Sequence, residues 1–227
     1  FAPLLEDLPS RPAVRKNWGE REWRLHRWAY HRLTERVDRQ IGVLLDALEL
    51  SGQAEDTVII FTSDHGDLDG AHRMEQKHFF YDECYRVPLI VAWPGHHGEG
   101  EVDEEHLCQT GLDLMTTCCS YAGIERPDYN PGLSWRALLE GRADEWRDEV
   151  YGENPIGTCL VTDRYKYCHY TACGEEEQLF DLAADPGEMH SLHADPQYRS
   201  VLEQHRAVLG EKREAHLALQ VYCEEEG

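Results

Sequence analysis

An aspartate and a histidine stand side by side at positions 64 and 65, and a lysine follows at 77, the only one between residues 17 and 165. Aspartate offers a hard oxygen and neutral histidine an imidazole nitrogen, both ligands for divalent cations. Gly66 lets the chain turn sharply, so that both side chains can face one ion. Lys77 adds a single ammonium. A cation on one side and an ammonium on the other suit a tetrahedral anion such as a sulfate or phosphate ester. The plain alternative for Lys77 is a solvated surface lysine. Two ligands do not complete a metal site: Ca²⁺ takes about six to eight oxygens and Zn²⁺ about four ligands, so the others must come from elsewhere. Ser63-Asp64-His65 is rejected as a nucleophilic triad, because a Ser to His to Asp relay is not easily arranged by three successive residues.

The flanking elements position these groups. Val58 to Phe61 is a short apolar, β-branched run that reads as a buried strand. Its C-terminal end is where open α/β sheets carry their sites. Pro88 to Trp93 is a second such run, closed by Pro94-Gly95. Upstream, Leu25, Trp28, Leu33, Val37, Ile41, Leu44 and Leu48 recur at helical spacing, predicting a long helix from Gly19 to Leu50. A helix over Gly111 to Gly123 is expected to turn Leu114, Met115 and Tyr121 inward, and a short one follows over Ser134 to Glu140. After Pro131-Gly132 the texture becomes strand-like: Glu149 to Tyr151, Thr158 to Thr162, Tyr165 to Tyr170 and Glu177 to Asp181, with turns at Asp163-Arg164 and Cys173-Gly174. A last helix spans about Pro196 to Leu219. The expected division is 1–148 as part of an α/β core and 149–227 as a small antiparallel sheet with a helix.

Composition narrows the partners. The chain has 44 acidic against 22 basic residues, a net charge of −22, which repels nucleic acid and is compatible with divalent cations. No stretch approaches the roughly 20 apolar residues of a membrane span. None of the eight cysteines forms a C-x-x-C pair, which argues against a zinc knuckle. Most read as free thiols, with Cys168 and Cys173 the expected pair in an oxidising compartment.

The stretch VIIFTSDHGDLDGAHRMEQKHFFYDECYRVPLIVAWPG, residues 58–95, resembles the sulfatases of the alkaline-phosphatase superfamily. Their pattern here is a strand, T-S-D-[HN]-G, a Gly-x-His segment, Lys, an aromatic and acidic pair, then R-V-P-L-I and W-P-G. YHRLTERVDRQIGVLLDAL resembles the helix before this motif, and TGLDLMTTCCSYAGIERP the helix after it, with Asp113 in its usual place. GLSWRALLEG and RYKYCHY with EEQLFDLAADPGEMHSL resemble the family's C-terminal subdomain. The resemblance implies an α/β fold: part of an alkaline-phosphatase-like sandwich, with a C-terminal small antiparallel sheet plus helix. It implies that Asp64 and His65 are metal ligands and that Lys77 is a catalytic residue holding the sulfate ester's oxygens. It further implies that His72 and Tyr81 line the pocket. The implied cofactor is a divalent cation, Ca²⁺ first, with Mn²⁺ or Zn²⁺ left open by the imidazole.

Sulfatases use a Cys or Ser in C/S-x-P-x-R, converted to formylglycine, as nucleophile. No Cys or Ser of this chain is followed by x-P-x-R. Asp7-Leu8-Pro9-Ser10-Arg11 has Asp where Cys should stand, and Ser10-Arg11-Pro12-Ala13-Val14 ends in Val, so both are read as a Pro-rich loop. The family's first Asp-Asp metal pair is absent too. The expectation is therefore the C-terminal part of a sulfatase, inactive alone, with a sulfate-ester substrate. Its expected partner is the missing N-terminal half or, through an uncovered apolar face, a second copy of the chain. Two rivals remain: a phosphodiesterase or phosphonate monoester hydrolase of the same superfamily, and a non-catalytic module with a vestigial metal site. The loops His96 to Glu105 and Asn154 to Thr158 are candidate substrate contacts, each with a solvated loop as its alternative.

Overall fold

The computed structural model describes residues 18–93, 100–143, 145–172 and 176–225, with side chains described as far as 217. The 7–11 and 10–14 segments, the Cys173-Gly174 turn and the start of the His96 loop lie outside them. Two compact units divide between Glu101 and Val102, whereas the change of texture in the sequence put the division at 148/149.

In the first unit, α1 (Glu20–Leu50) is one unbroken helix of 31 residues, about 46 Å long at 1.5 Å per residue. It ends as expected, with the backbone N–H of Ser51 on the carbonyl of Ala47 and that of Gly52 on Glu49. None of its residues is buried. Leu25, Trp28, Leu33, Val37, Val43, Leu44 and Leu50 are each more than half exposed. Strand β1 (Ile59–Thr62) pairs antiparallel with β2 (Leu89–Ala92), Ile59 opposite Ala92 and Thr62 opposite Leu89. The expectation of a buried strand is corrected here: among the described residues the two strands form a two-stranded ribbon, and Phe61 and Ile90 reach solvent. Between them runs the 63–88 excursion, which contains the one-turn helix α2 (Asp82–Tyr85). Leu68, Met74, Phe79, Phe80, Tyr81 and Cys84 are buried.

In the second unit, α3 (Thr110–Ala122) closes on Gly123 at φ +68°, a left-handed position that suits glycine. Its inward face is polar, not the Leu114–Met115–Tyr121 stripe expected: Asp113, Thr116 and Thr117 are buried and Met115 is exposed. The reason is local. Asp113 accepts the backbone N–H groups of Gln109 and Leu133 and both guanidinium arms of Arg147, at 2.5 and 2.6 Å. Thr117 Oγ accepts the N–H of Trp135, the first residue of the short helix α4 (Trp135–Leu139), which Ser134 caps. Through Arg147, α3 is tied to the segment leading into the sheet.

That sheet is an antiparallel meander of β3 (Glu149–Asn154), β4 (Gly157–Thr162), β5 (Tyr165–Tyr170) and β6 (Glu176–Asp181). One face carries Leu160, Tyr167 and Leu179 against Leu202 and Leu209 of α5 (Arg199–Glu225). Each fully buried leucine of this kind is worth about 1.5–3 kcal/mol. Leu217, further along the same helix, is half exposed. Lys166 and Glu188 form a completely buried ion pair, 2.8 Å apart. Cys159 and Cys168 are opposite one another across β4–β5 as thiols, not a disulfide. No helix among the described residues is long and apolar enough to cross a membrane.

Candidate active site

Asp64 and His65 follow β1 directly, at the strand's C-terminal end. Ser63 Oγ lies 2.8 Å from the carbonyl oxygen of His65 and 3.3 Å from Asp64 Oδ1, so it braces the turn and forms no Ser–His relay. The next residue has to be glycine. A Cβ on Gly66 would lie 1.9 Å from the carbonyl oxygen of Glu83, and the Gly66 N–H donates to the Cys84 carbonyl at 2.7 Å. The Asp64-His65-Gly66 turn is thus laid directly on α2.

His65 is oriented through its other nitrogen. Nδ1 is 2.7 Å from the Gly66 carbonyl oxygen. A carbonyl only accepts, so Nδ1 carries the proton and Nε2 presents its lone pair. Nε2 stands 3.3 Å from Asp64 Oδ2, and the two face the same space. The Asp64 side chain is 82% exposed and that of His65 37%. The backbone N–H of His65 holds the Asp64 carboxyl below the usual range, with smaller help from the imidazole and the Ser63 hydroxyl. Asp64 therefore keeps its charge and open lone pairs.

Lys77, twelve residues beyond His65, returns to place Nζ 2.7 Å from His65 Nε2. The ammonium donates to the same lone pair that a cation would use. His78 adds a further base beside it. Burial pushes the His78 pKa down, and the charge of Lys77 pushes it further. In a chain of net charge −22, two nitrogen groups, Lys77 Nζ and His65 Nε2, thus meet at 2.7 Å. The sequence reading missed His78, although its position next to Lys77 was the available signal. It also missed Ser63 as a brace and Glu83 as the carbonyl under Gly66.

The loop between these groups is unusual in its backbone. Asp69, His72, Arg73, Gln76 and His78 all have positive φ, from 43° to 105°. Such conformations cost of order 1–3 kcal/mol each and persist only when the surroundings enforce them. Here they are enforced. Asp67 Oδ1 accepts the N–H groups of Asp69 and Gln76. Leu68 N–H donates to the Gln76 carbonyl, which also receives the Cys84 thiol. Arg27 Nε of α1 donates to the Asp69 carbonyl at 2.8 Å, and His26 Nε2 lies 3.3 Å from the Asp69 carboxylate. His72 and Tyr81 are packed together: the rings stack at 3.7 Å and 13°, and Tyr81 is 6% exposed.

Asp64 and His65 fit a divalent cation as a partial donor set: an ionised carboxylate beside an imidazole whose tautomer a carbonyl has fixed. Among the described residues no group of three or more His, Cys, Asp or Glu could hold a metal. Of the candidate substrate loops, Asn154 to Thr158 is a tight hairpin turn. Ile156, Gly157 and Thr158 are buried, and the Ile156 N–H is held by Asn154 Oδ1.

Comparison with known proteins gives this geometry its class. A family model described as Sulfatase matches residues 7–124, and one described as N-sulphoglucosamine sulphohydrolase, C-terminal, matches residues 70–215. The chain belongs to the sulfatase family, within the alkaline-phosphatase-like superfamily. It is 36% identical over 203 residues to a Δ4,5-hexuronate-2-O-sulfatase of Bacteroides thetaiotaomicron, covering 85% of this chain and 42% of that protein. A solved 2-O GAG sulfatase superposes with TM-score 0.81 at 34% identity, covering 88% of this chain and 45% of the other. The phosphonate monoester hydrolase of Agrobacterium radiobacter superposes with TM-score 0.71 at 29% identity, covering 91% and 43%. The chain spans about two fifths of the length of the curated relatives it matches. The expected fold class, an alkaline-phosphatase-like α/β assembly with a small antiparallel sheet and a C-terminal helix, is what the structure has.

Proposed function

We propose that this chain forms one wall of a sulfuric ester hydrolase site. Asp64 and His65 are its contribution to a divalent cation, Ca²⁺ in the first instance, and Lys77 holds the oxygens of the sulfate ester. The observation that carries this reading is the meeting of Lys77 Nζ, His65 Nε2 and Asp64 Oδ2 within 2.7 and 3.3 Å of one another, at a strand's C-terminal end. The cation would supply Lewis-acid polarisation of the ester. What this chain's residues do is simpler. Asp64 brings negative charge, His65 brings a lone pair aimed by Gly66, and Lys77 neutralises a non-bridging oxygen. The nucleophile and remaining ligands come from residues outside these 227. The apolar face of α1 is then the surface that the rest of the α/β core covers.

Two experiments test this. Calorimetric titration of the chain with Ca²⁺ should show weak binding, about millimolar, that Asp64→Ala abolishes; binding that persists in Asp64→Ala overturns the ligand assignment. The purified chain should release no sulfate from an aryl sulfate, and co-expression with the missing half of the core should restore release dependent on Lys77. Release by the chain alone, lost in Lys77→Ala, refutes the shared site. The likeness to a phosphonate monoester hydrolase over 91% of this chain supports a second reading. Faster turnover of an aryl phosphonate monoester than of the aryl sulfate by the restored enzyme would favour it.

A further inference from the structure

Two supports lie beneath the site loop. One is the Gly66 backbone on Glu83 and Cys84. The other is a side-chain stack: His72, at φ +51°, lies flat on Tyr81, with Nε2 3.8 Å from the Glu83 carboxylate and only 10% of its side chain exposed. Four of the seven residues from His72 to His78 have positive φ, so local preference does not shape this segment. Its start is held by the stack, and its end carries Lys77. Glu83 belongs to both supports, through its carbonyl oxygen under Gly66 and its carboxylate facing His72.

We propose that His72 and Glu83 are positioning residues: the His72 ring stacked on Tyr81, with the Glu83 carboxylate facing its Nε2, is the strut that sets Lys77 against His65. The inference rests on the sulfatase reading for its purpose and on geometry alone for its existence. His72 is too enclosed to hold substrate. A left-handed backbone there directs the ring onto Tyr81 and sends the chain back toward His65. Removing the ring frees the 73–77 segment to relax to ordinary φ, which carries Nζ away from the imidazole. Removing the Glu83 carboxylate loosens the stack and, with it, the Gly66 turn that fixes the tautomer of His65.

The test reads His65 itself. In the wild-type chain, imidazole ¹⁵N shifts should report a single tautomer, protonated on Nδ1, and the Lys77 amine should acetylate slowly. His72→Asn, a residue that tolerates left-handed backbone, and Glu83→Ala should each convert His65 to a tautomer mixture and raise Lys77 acetylation severalfold. Each should also weaken Ca²⁺ binding by about tenfold, the lower range for partners of metal ligands. Hydrogen exchange in β3–β6 should not change in either variant, which distinguishes this from general unfolding. Glu83→Gln, which keeps an acceptor oxygen facing His72, should restore the wild-type pattern. An unchanged His65 pattern in both His72→Asn and Glu83→Ala overturns the strut. If the pattern responds but wild type takes up no Ca²⁺, the metal reading fails and the strut stands. If Ca²⁺ binds and the pattern does not respond, the strut fails alone.

Discussion

The 63–88 excursion and the β3–β6 sheet treat charge in opposite ways. In the sheet unit, charges are buried and answered: Lys166 by Glu188 with both side chains 1% exposed, Asp113 by a two-armed Arg147, and Asp181 by Arg164. In the excursion, Asp64 is 82% exposed and His65 Nε2 meets the exposed Lys77 ammonium at 2.7 Å. The sheet has regular backbone and irregular polarity inside it. The loop has an apolar base, Phe79, Phe80 and Tyr81, and irregular backbone above it. Buried pairs fix a shape because leaving either partner alone is costly. Exposed, aimed groups do little for stability and remain available for chemistry.

That contrast can be broken at its strongest point first. Lys166→Ala or Glu188→Ala should each destabilise the second unit by about 3–5 kcal/mol, since each leaves an uncompensated buried charge; equilibrium urea unfolding measures it, and a loss within about 0.5 kcal/mol would show the pair to be ornamental. Gly66→Ala should be nearly as damaging, but locally. An added Cβ would lie only 1.9 Å from the backbone carbonyl oxygen of Glu83, so hydrogen exchange at Gly66, Leu68 and Cys84 should rise while the β3–β6 amides stay protected. The acid response of the sheet unit is milder. The Arg164 guanidinium holds the Asp181 carboxyl below its usual range, with help from the Ala184 N–H, and Arg206 does the same for Glu177. Depressed folded values mean that the unfolded chain binds more protons. The contribution is complete above the unfolded values, near 4, and is lost as pH falls through the folded ones. The urea midpoint should therefore fall between about pH 6 and pH 3, and Asp181→Asn should flatten the slope. The smallest effect sharpens the comparison most. Asp64→Ala should leave stability within about 0.5 kcal/mol of wild type while removing the cation response.

Much of this was legible from the chain, and the divide between legible and hidden follows the same contrast. YKYCHY is rich in aromatic residues, and β5 has the bounds read from it. Leu50-Ser51-Gly52 ends α1 where the turn residues say it should. Asp64 and His65 stand at a strand's end because the run before them is β-branched. What did not show was anything imposed from a distance. Nothing in Arg73 or Gln76 announces a left-handed backbone; Asp67 and Cys84 impose it across the loop. The polar inner face of α3 depends on Arg147, which is 34 residues from Asp113. Apolar periodicity alone chose Met115 for that face, and the polar network displaced it.

The left-handed turn at Arg73 has one more consequence. Arg73 is exposed and precedes Met74, which makes their bond a nominal target for trypsin. Proteases bind their targets as extended strands, whereas this bond is curled inside a turn closed by Gly70 N–H on the Met74 carbonyl, at 2.8 Å. Cutting must wait for the turn to open. The rate of cleavage at that bond, followed by mass spectrometry among the cuts at the chain's other basic residues, is then a clock for loop opening, readable without substrate, metal or a partner chain.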